Sequence, residues 1–306
     1  MKNILVPVDF SPHSEKAIDF AIRFAKLSKA KVIVINACEL LGVRSKIQTS
    51  LEKTYNQQII DKAYEQLELI RKSIKETEKI DINVRLYEGP IIETILKAVE
   101  LHEADLVVMG TLGESGAKER IFGSKTSAVI GKATVPVLAV PFLYDWTNPK
   151  KILLAINDFD HSNGIDPLAE ICRIVKASLQ VAIFTDKNTE GPVTYLIEGK
   201  GLSEFEKRLQ VRFPRIKISA IHLEGRRFQS TMEEYIQEND IDMLAMITHK
   251  RNLVTGLFKR SMTRKMSYHI NIPLLAIPQD LSTRLKAGKK RPAARTKART
   301  KKAKMG

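Results

Sequence analysis

A short buried strand that runs directly into a glycine-rich loop constrains this chain more than any other stretch of its sequence. Residues 106–109 form an apolar run typical of a strand buried on both faces of a parallel sheet, and Gly110 ends it. Beyond the loop, Ser124 is placed to cap a helix over residues 125–132, and a second apolar strand follows at 135–140. The stretch is therefore predicted to fold as strand, loop, helix and strand, with the helix start facing the loop.

The predicted start of this helix is suited to a phosphate group. Backbone N–H groups in the first turn of a helix have no partner within the helix, and the positive end of the helix dipole adds to their attraction for an anion. Glycines in the loop let the backbone approach a ligand closely, and the Ser124 hydroxyl offers a further donor. We interpret the loop as a phosphate cradle; the alternative is a surface loop that is merely flexible.

Two other phosphate-binding motifs do not fit. A Walker-type loop needs a lysine directly after its last glycine, but Ser124 separates Gly123 from Lys125. The dinucleotide fingerprint needs three closely spaced glycines after the first strand, whereas Gly110 and Gly113 follow a late strand and lack the tight first pair.

The beginning of the chain supplies a further candidate residue for the predicted phosphate-binding site. Residues 4–8 are predicted to form the first strand, which ends at Asp9, and Ser11 and Pro12 are typical of a helix cap and a first helical residue. Ligands of parallel sheets bind at the carboxyl ends of the strands. Asp9 and Gly110 are therefore expected to meet in one crevice, although Asp9 would alternatively serve only to cap the first helix.

Predicted helices and strands alternate along the whole chain. After the first strand, the first half is predicted to contain a helix at 12–28, a strand at 31–37, a helix at 49–79, a strand at 82–87 and a helix at 91–102. Parallel strands need crossover connections, which helices usually provide. The alternation therefore predicts an α/β fold, with a parallel sheet covered by helices on both faces.

The glycines of the loop follow a fixed spacing. Two residues separate Gly110 from Gly113, nine separate Gly113 from Gly123, and Ser124 follows directly. Together with the Val-Pro-Val strand at 135–137, this pattern resembles the nucleotide-binding signature of the universal stress protein family. The resemblance covers both halves of the chain. It implies two tandem Rossmann-like domains of the adenine-nucleotide alpha-hydrolase type, each with a five-stranded parallel sheet covered by helices.

The resemblance also implies a ligand and the residues that hold it. Family members bind adenine nucleotides, so the expected ligand is ATP, with or without Mg²⁺. They use an acidic residue after the first strand, and Asp9 holds that place here. The residues expected to contact the nucleotide are Asp9, Met109, Gly110, Gly113, Gly123, Ser124 and Lys125.

The sequence repeats itself after Pro149. Residues 151–157 resemble residues 2–9 in character, and Ser124 and Ser261 each lie twelve residues before a proline that introduces the last strand of its half. The predicted units are a first domain over 1–143, a second domain over 150–280 and a basic tail over 284–306. Both domains would end in an apolar strand with an exposed edge, so we expect strands 135–140 and 274–277 to pair with each other.

The second copy keeps the predicted order of strands and helices of the first copy, but it lacks the residues expected to bind a phosphate group. Asn157 replaces Asp9, while Ile247, Lys250 and Arg260 replace glycines of the loop. Side chains at those positions obstruct the close backbone approach that a phosphate cradle needs, so one nucleotide per chain is expected, in the first half. The alternative is a different anion site in the second half, built from His249, Lys250, Arg251, Lys259 and Arg260.

Composition argues against several classes of protein. The chain has 306 residues, 43% hydrophobic and 28% charged, as expected of about two globular domains, and no apolar run approaches the length of a membrane span. Cys38 and Cys172 lie far apart, and none of the six histidines forms a pair with metal-site spacing, so neither a disulfide framework nor metal catalysis is expected. We expect a cytoplasmic protein.

The resemblance to universal stress proteins implies a nucleotide-binding stress-response protein in which ATP occupancy changes the state or the partners of the chain. A slow ATPase or phosphotransferase is a second interpretation, because Lys118, Arg120 and Lys125 would lie near a bound triphosphate, but no water-activating residue is evident. The third interpretation is a protein that binds nucleic acid or another polyanion through its tail. Intramolecular pairing of the two domains is expected, and a homo-oligomer is compatible with the sequence.

The end of the chain is a polycation. Eleven lysines and arginines, the first Arg284 and the last Lys304, lie within residues 284–306, which contain no acidic residue. They account for most of the formal charge of +15 and leave +4 for the rest of the chain. Such a segment cannot bury a core, so we expect it to be disordered and to attract polyanions without reading their sequence.

Removal of residues 284–306 should leave ATP affinity unchanged and sharply reduce any binding to DNA or RNA. Binding by the intact chain should weaken steeply with salt, with a logarithmic slope of about −0.9 for each duplex phosphate neutralised. Electrophoretic or anisotropy titrations at several salt concentrations measure both effects. Equal DNA affinity in the truncated chain would show that the tail has no part in binding.

Overall fold

The computed structural model describes residues 1–42, 49–111, 123–156, 159, 164–188, 192–248 and 271–279. In the first half the elements are β1 (Asn3–Val8), α1 (Pro12–Ser28), β2 (Lys31–Cys38), α2 (Ser50–Glu78), β3 (Asn83–Glu88), α3 (Ile91–Leu101), β4 (Leu106–Gly110), α4 (Ser124–Lys132) and β5 (Val137–Val140). In the second half they are β6 (Lys151–Ile156), α5 (Asp166–Val175), β7 (Ser178–Asp186), α6 (Pro192–Arg212), β8 (Ile218–Gly225), α7 (Phe228–Glu238), β9 (Met243–Thr248) and β10 (Leu274–Pro278).

All ten strands of the described chain belong to one sheet, in the order β3-β2-β1-β4-β5-β10-β9-β6-β7-β8. Every neighbouring pair within a half is parallel. The two halves join through β5 and β10, which are antiparallel, with Leu274 opposite Ala139 and Leu275 opposite Leu138. The predicted α/β fold class and the predicted pairing of the final strands are both confirmed.

The two halves repeat each other in register. Val107 pairs with Val137 in the first half, as Leu244 pairs with Leu274 in the second. A carboxylate ties the equivalent strand starts together in each half: Asp105 Oδ2 accepts the N–H groups of Lys2 and Asn3, and Asp242 Oδ2 accepts those of Lys150 and Lys151. The repeat inferred from apolar character is therefore also a repeat of specific hydrogen bonds.

The predicted helix starts of the first half are explained by local chemistry. Ser11 is the N-cap of α1 and accepts a hydrogen bond from the Ser14 N–H, and Pro12 takes the first helical position. Thr49 caps α2 in a capping box with Glu52, in which each side chain bonds the backbone of the other. These helices begin where the sequence predicted. The predicted strands of the first half differ from the observed ones by at most one residue at either end, except that β5 begins at Val137 and not at 135.

One hydrophobic core runs under both halves. On one face of the sheet, α1, α2, α5 and α6 pack onto a single cluster of buried residues; its largest helical members are Phe20 and Phe24 of α1 and Phe205 of α6. On the other face, α3 and α4 cover the first half and α7 the second. Cys38 and Cys172 are buried free thiols, and burial raises the pKa of Cys172 to about 12. Each cysteine therefore acts as a small apolar residue.

None of the helices in the described part of the chain combines the length and hydrophobicity that a membrane crossing requires. Several sequence predictions concern residues outside the described ranges: the tail over 284–306, and in the second half Asn157 and residues 249–261.

Shortening a buried side chain where β5 pairs with β10 should lower the stability of both halves together. Leu138 is 1% exposed and lies in the core shared by the halves, so Leu138→Ala should cost about 2–5 kcal/mol in the free energy of unfolding. Chemical denaturation followed by circular dichroism should show one transition, shifted as a whole. Leu143→Ala, at a side chain that is 60% exposed, is the control that should change little. Two separate transitions, of which only one shifts, would contradict a shared core.

Candidate functional site

A cleft of about 230 Å³ opens where the strand order of the first half reverses. The chain crosses from β1 outward to β2 and β3 and then returns to β4 on the other side of β1, so the loops after β1 and β4 diverge. The carboxyl ends of these two strands, Ala37 of β2 and the starts of α1, α3 and α4 form its walls. The fold thus places the cleft where open α/β sheets bind ligands.

The walls of the cleft differ in character. Apolar side chains form one part; they are Pro7, Val8, Ala37, Ile91, Ile95 and Met109. Polar residues and glycines at the ends of β1 and β4 and at the starts of α1 and α4 form the other part; they are Asp9, Ser11, His13, Ser14, Gly110, Thr111, Gly123, Ser124, Lys125 and Thr126. A ligand with a flat apolar part and an anionic part would match both.

The structure brings together six of the seven residues singled out by sequence: Asp9, Met109, Gly110, Gly123, Ser124 and Lys125 all line the cleft. The seventh, Gly113, lies outside the described residues, as do Lys118 and Arg120. Asp9 and Gly110, about a hundred positions apart in sequence, meet because β1 and β4 are adjacent strands.

Asp9 is an ionised carboxylate held by its neighbours. Its Oδ1 accepts hydrogen bonds from the Ser11 hydroxyl at 2.6 Å and the Ser11 N–H at 3.3 Å. Its Oδ2 lies 4.0 Å from the Lys125 ammonium, which reaches across from α4. Burial raises the pKa of Asp9, but the Ser11 hydrogen bonds and the Lys125 charge outweigh it, so the pKa lies below its ordinary value. Asp9 and Lys125 therefore present opposite charges at the same opening.

Gly110 is required first by the protein's own backbone. A Cβ atom on this residue would lie 2.1 Å from the carbonyl oxygen of His13, in the first turn of α1. The sequence suggested that the glycines admit a ligand; at Gly110 the absent side chain instead lets α1 pack against the end of β4. In the second half the matching residue is Ile247, which is buried. There the helix after the first strand, α5, has 10 residues against the 17 of α1.

The start of α4 differs from the prediction. Gly123 is the N-cap, Ser124 is the first helical residue, and no side-chain hydrogen bond caps the helix. The predicted cap at Ser124 is therefore wrong by one residue, because the chain turns into the helix at Gly123, whose carbonyl accepts the Ser127 N–H at 3.0 Å. Thr126, in the same turn, donates its hydroxyl to the carbonyl oxygen of Gly110 at 3.0 Å. This bond fixes the start of α4 beside the end of β4.

Sequence reasoning missed several cleft residues, of which Thr111 is the most informative. Its side chain is 2% exposed, and its hydroxyl has no hydrogen-bond partner among the described residues. A buried hydroxyl without a partner costs free energy, which a ligand in the cleft would recover. Its position directly after Gly110 was the available signal. His13 and Ser14 were missed because a helix start shows no ligand pattern of its own in sequence.

No group of three or more acidic, cysteine or histidine side chains arranged for a metal ion occurs in the part of the chain that the structure describes. The second anion site considered for the second half involves residues 249–260, which lie outside that part. The cleft of the first half is thus the site on which a functional assignment rests.

Comparison with known proteins identifies a family that matches the first half of the chain. The family model described as "Universal stress protein family" matches residues 1–141. The universal stress protein MJ0577 of Methanocaldococcus jannaschii is 31% identical over 156 residues, which cover 45% of this chain and 94% of the relative. The universal stress protein MJ0531 of the same organism is 30% identical over 142 residues, which cover 45% of this chain and 81% of the relative.

A solved structure extends the likeness to both halves. A universal stress protein from Archaeoglobus fulgidus superposes with a TM-score of 0.70 at 18% identity, covering 90% of this chain and 98% of the solved one. At that identity the likeness concerns the fold alone. The chain contains two copies of a Rossmann-like α/β fold.

Gly110→Ala should destabilise the fold even without ligand. The added methyl group would meet the His13 backbone, so a loss of about 1–3 kcal/mol in the free energy of unfolding is expected. Gly131→Ala is the matched control, because its Cβ would have nothing within 4 Å, and a gain of about 0.5–1 kcal/mol is expected from helix propensity. Denaturant titrations of the two variants measure the difference. Equal stability of Gly110→Ala and the parent would contradict the close contact between α1 and β4.

Proposed function

This chain belongs to the universal stress protein family, and on that premise we propose that it is a regulatory protein whose first half binds one adenine nucleotide, ATP, in the cleft. The observation that carries the proposal is the cleft itself. It joins an apolar wall to the starts of two helices at the end of β4, and it holds the buried hydroxyl of Thr111, for which the described part of the chain provides no hydrogen-bond partner.

The apolar wall suits a nucleotide base. Ile91 and Ile95, at the start of α3, face the cleft together with Val8 of β1 and Met109 of β4. Aliphatic and thioether groups of this kind pack against a flat heteroaromatic ring, and burial of the ring provides affinity without a specific reaction. The carboxylate of Asp9 offers an acceptor for a hydroxyl or amino group of the nucleoside.

The start of α4 suits the phosphates. Gly123 and Ser124 present backbone N–H groups of the first turn, where the helix dipole is positive, and the Lys125 ammonium adds a full charge. Asp9 is the one carboxylate among the described residues that line the cleft. A magnesium ion bound with the nucleotide would therefore take its oxygen ligands chiefly from the phosphates and water.

The proposed role needs binding and no catalysed reaction. ATP would stabilise one arrangement of the first turns of α1 and α4, and the ratio of occupied to empty protein would follow the ATP concentration. The family's link with stress response supplies the context for such a sensor. The second half, with Ile247 at the place of Gly110, would contribute structure and a surface for partners.

The proposal is tested by the nucleotide that the protein carries or takes up. Purified protein is denatured and the released small molecules are identified by chromatography. Protein stripped of ligand is then titrated with ATP by calorimetry. One molecule of ATP per chain is expected, and two per chain, or no binding of any adenine nucleotide, would overturn the proposal.

Gly123→Arg should weaken ATP binding by at least about tenfold, a loss of 1.4 kcal/mol or more. The arginine side chain would fill the cleft at the buried N-cap of α4. Gly131→Arg adds the same charge to the same helix at an exposed position outside the cleft, and its ATP affinity should equal that of the parent. Circular dichroism confirms that both variants are folded. Parental ATP affinity in Gly123→Arg would refute the role of this helix start.

A further inference from the structure

The segment that joins the two halves lies along the helix that forms one wall of the cleft. We call residues 141–150, between β5 and β6, the linker. The ring of Phe142 meets that of His13 edge-on, with centroids 4.7 Å apart. The Asp145 carboxylate binds the Lys16 ammonium at 2.7 Å. The indole of Trp146 meets the ring of Phe20 edge-on, also at 4.7 Å. Three linker side chains thus contact three side chains of α1.

These contacts follow one face of α1. His13, Lys16 and Phe20 are separated by three and four residues, which places them on one stripe of the helix. The stripe begins in the turn that lines the cleft, since His13 is itself a cleft residue. At the same turn, the carbonyl of His13 abuts Gly110. The linker therefore holds the helix whose start shapes the cleft.

The other end of the linker is bound to the second half. The Asn148 side chain donates to the carbonyl oxygen of Val175, at the end of α5, at 3.0 Å. The Lys150 N–H donates to Asp242, beside the start of β9, at 2.7 Å. Between the two ends, the Tyr144 hydroxyl donates to the carbonyl oxygen of Thr147 at 3.1 Å and fixes the turn. The linker is thus an ordered bridge with defined contacts at both ends.

We propose that Phe142, Asp145 and Trp146 are positioning residues of the cleft, and that through them nucleotide occupancy of the first half is transmitted to the second. The proposal rests on the proposed function of the cleft. A ligand that contacts the first turn of α1 shifts or tightens that turn. A helix packed on a dense core moves as a unit, so the shift reaches Lys16 and Phe20 and the linker side chains bound to them. Asn148 and Lys150 then pass the displacement to α5 and β9.

The chain carries its own probe of this movement. Trp146 is its one tryptophan, is partly buried and contacts Phe20, so its emission reports the packing of the linker on α1. Titration of the full chain with ATP should change the intensity or wavelength of this emission, with the midpoint found by calorimetry. N-acetyltryptophanamide, titrated in parallel, corrects for absorption by ATP. An unchanged emission while calorimetry shows binding would overturn the coupling and leave the proposed function intact.

Variants in the linker test the positioning role. Phe142→Ala and Asp145→Asn should each weaken ATP binding by about two- to tenfold and reduce the change in Trp146 emission. Leu143→Ala, at the exposed neighbour of Phe142, is the control for the first variant. Lys26→Met is the control for the second, because it breaks a comparable ion pair, with Glu78 at 2.6 Å, at the far end of α1. Both controls should bind ATP as the parent does.

The outcomes separate positioning from stability. A linker variant with a lower melting temperature, parental ATP affinity and a parental emission response would show a purely structural contact and overturn the proposal. Failure of the parent to bind ATP in calorimetry would overturn the proposed function, and this proposal with it.

Discussion

The antiparallel pairing of β5 with β10 is the interaction on which the rest of the structure depends. It converts two five-stranded parallel sheets into one sheet and removes two apolar edges that would otherwise invite pairing with other chains. Backbone hydrogen bonds provide the pairing, so the second half can keep this role while its loop residues diverge. The core on one face then becomes continuous, because α1 and α5 pack side by side over the joined sheet. A change of loop residues in the second half therefore costs no stability at the junction.

Much of the fold could be predicted because its determinants are local. Apolar strands, the Ser11 cap, Pro12 and the capping box at Thr49 each act within a few residues, and the observed helices begin there. The repeat could be predicted because equivalent positions need the same backbone pairing. The cap of α4 was wrong by one residue, since Gly123 and Ser124 are both good caps and only the path of the chain decides between them.

The candidate site was less predictable because its residues are brought together by tertiary packing. Asp9 and Gly110 carried recognisable signals, whereas Thr111 and His13 acquire their places only when α1 packs on β4. The need for glycine at 110 illustrates this point. The sequence suggested space for a ligand, but the atom that occupies that space is the His13 carbonyl oxygen. Neither the spacing of the glycines nor their number contains that information.

The antiparallel junction also sets the direction in which each half faces. Strands of the second half run opposite to those of the first. The carboxyl ends of the strands, where the cleft of the first half lies, therefore point the opposite way in the second half. The two ends of a strand of 5 residues, such as β4, lie roughly 17 Å apart. A partner docked at the carboxyl ends of the strands in the second half would thus approach from the side of the molecule opposite the cleft. It would neither block the entry of a nucleotide nor touch it, and both could be bound at once.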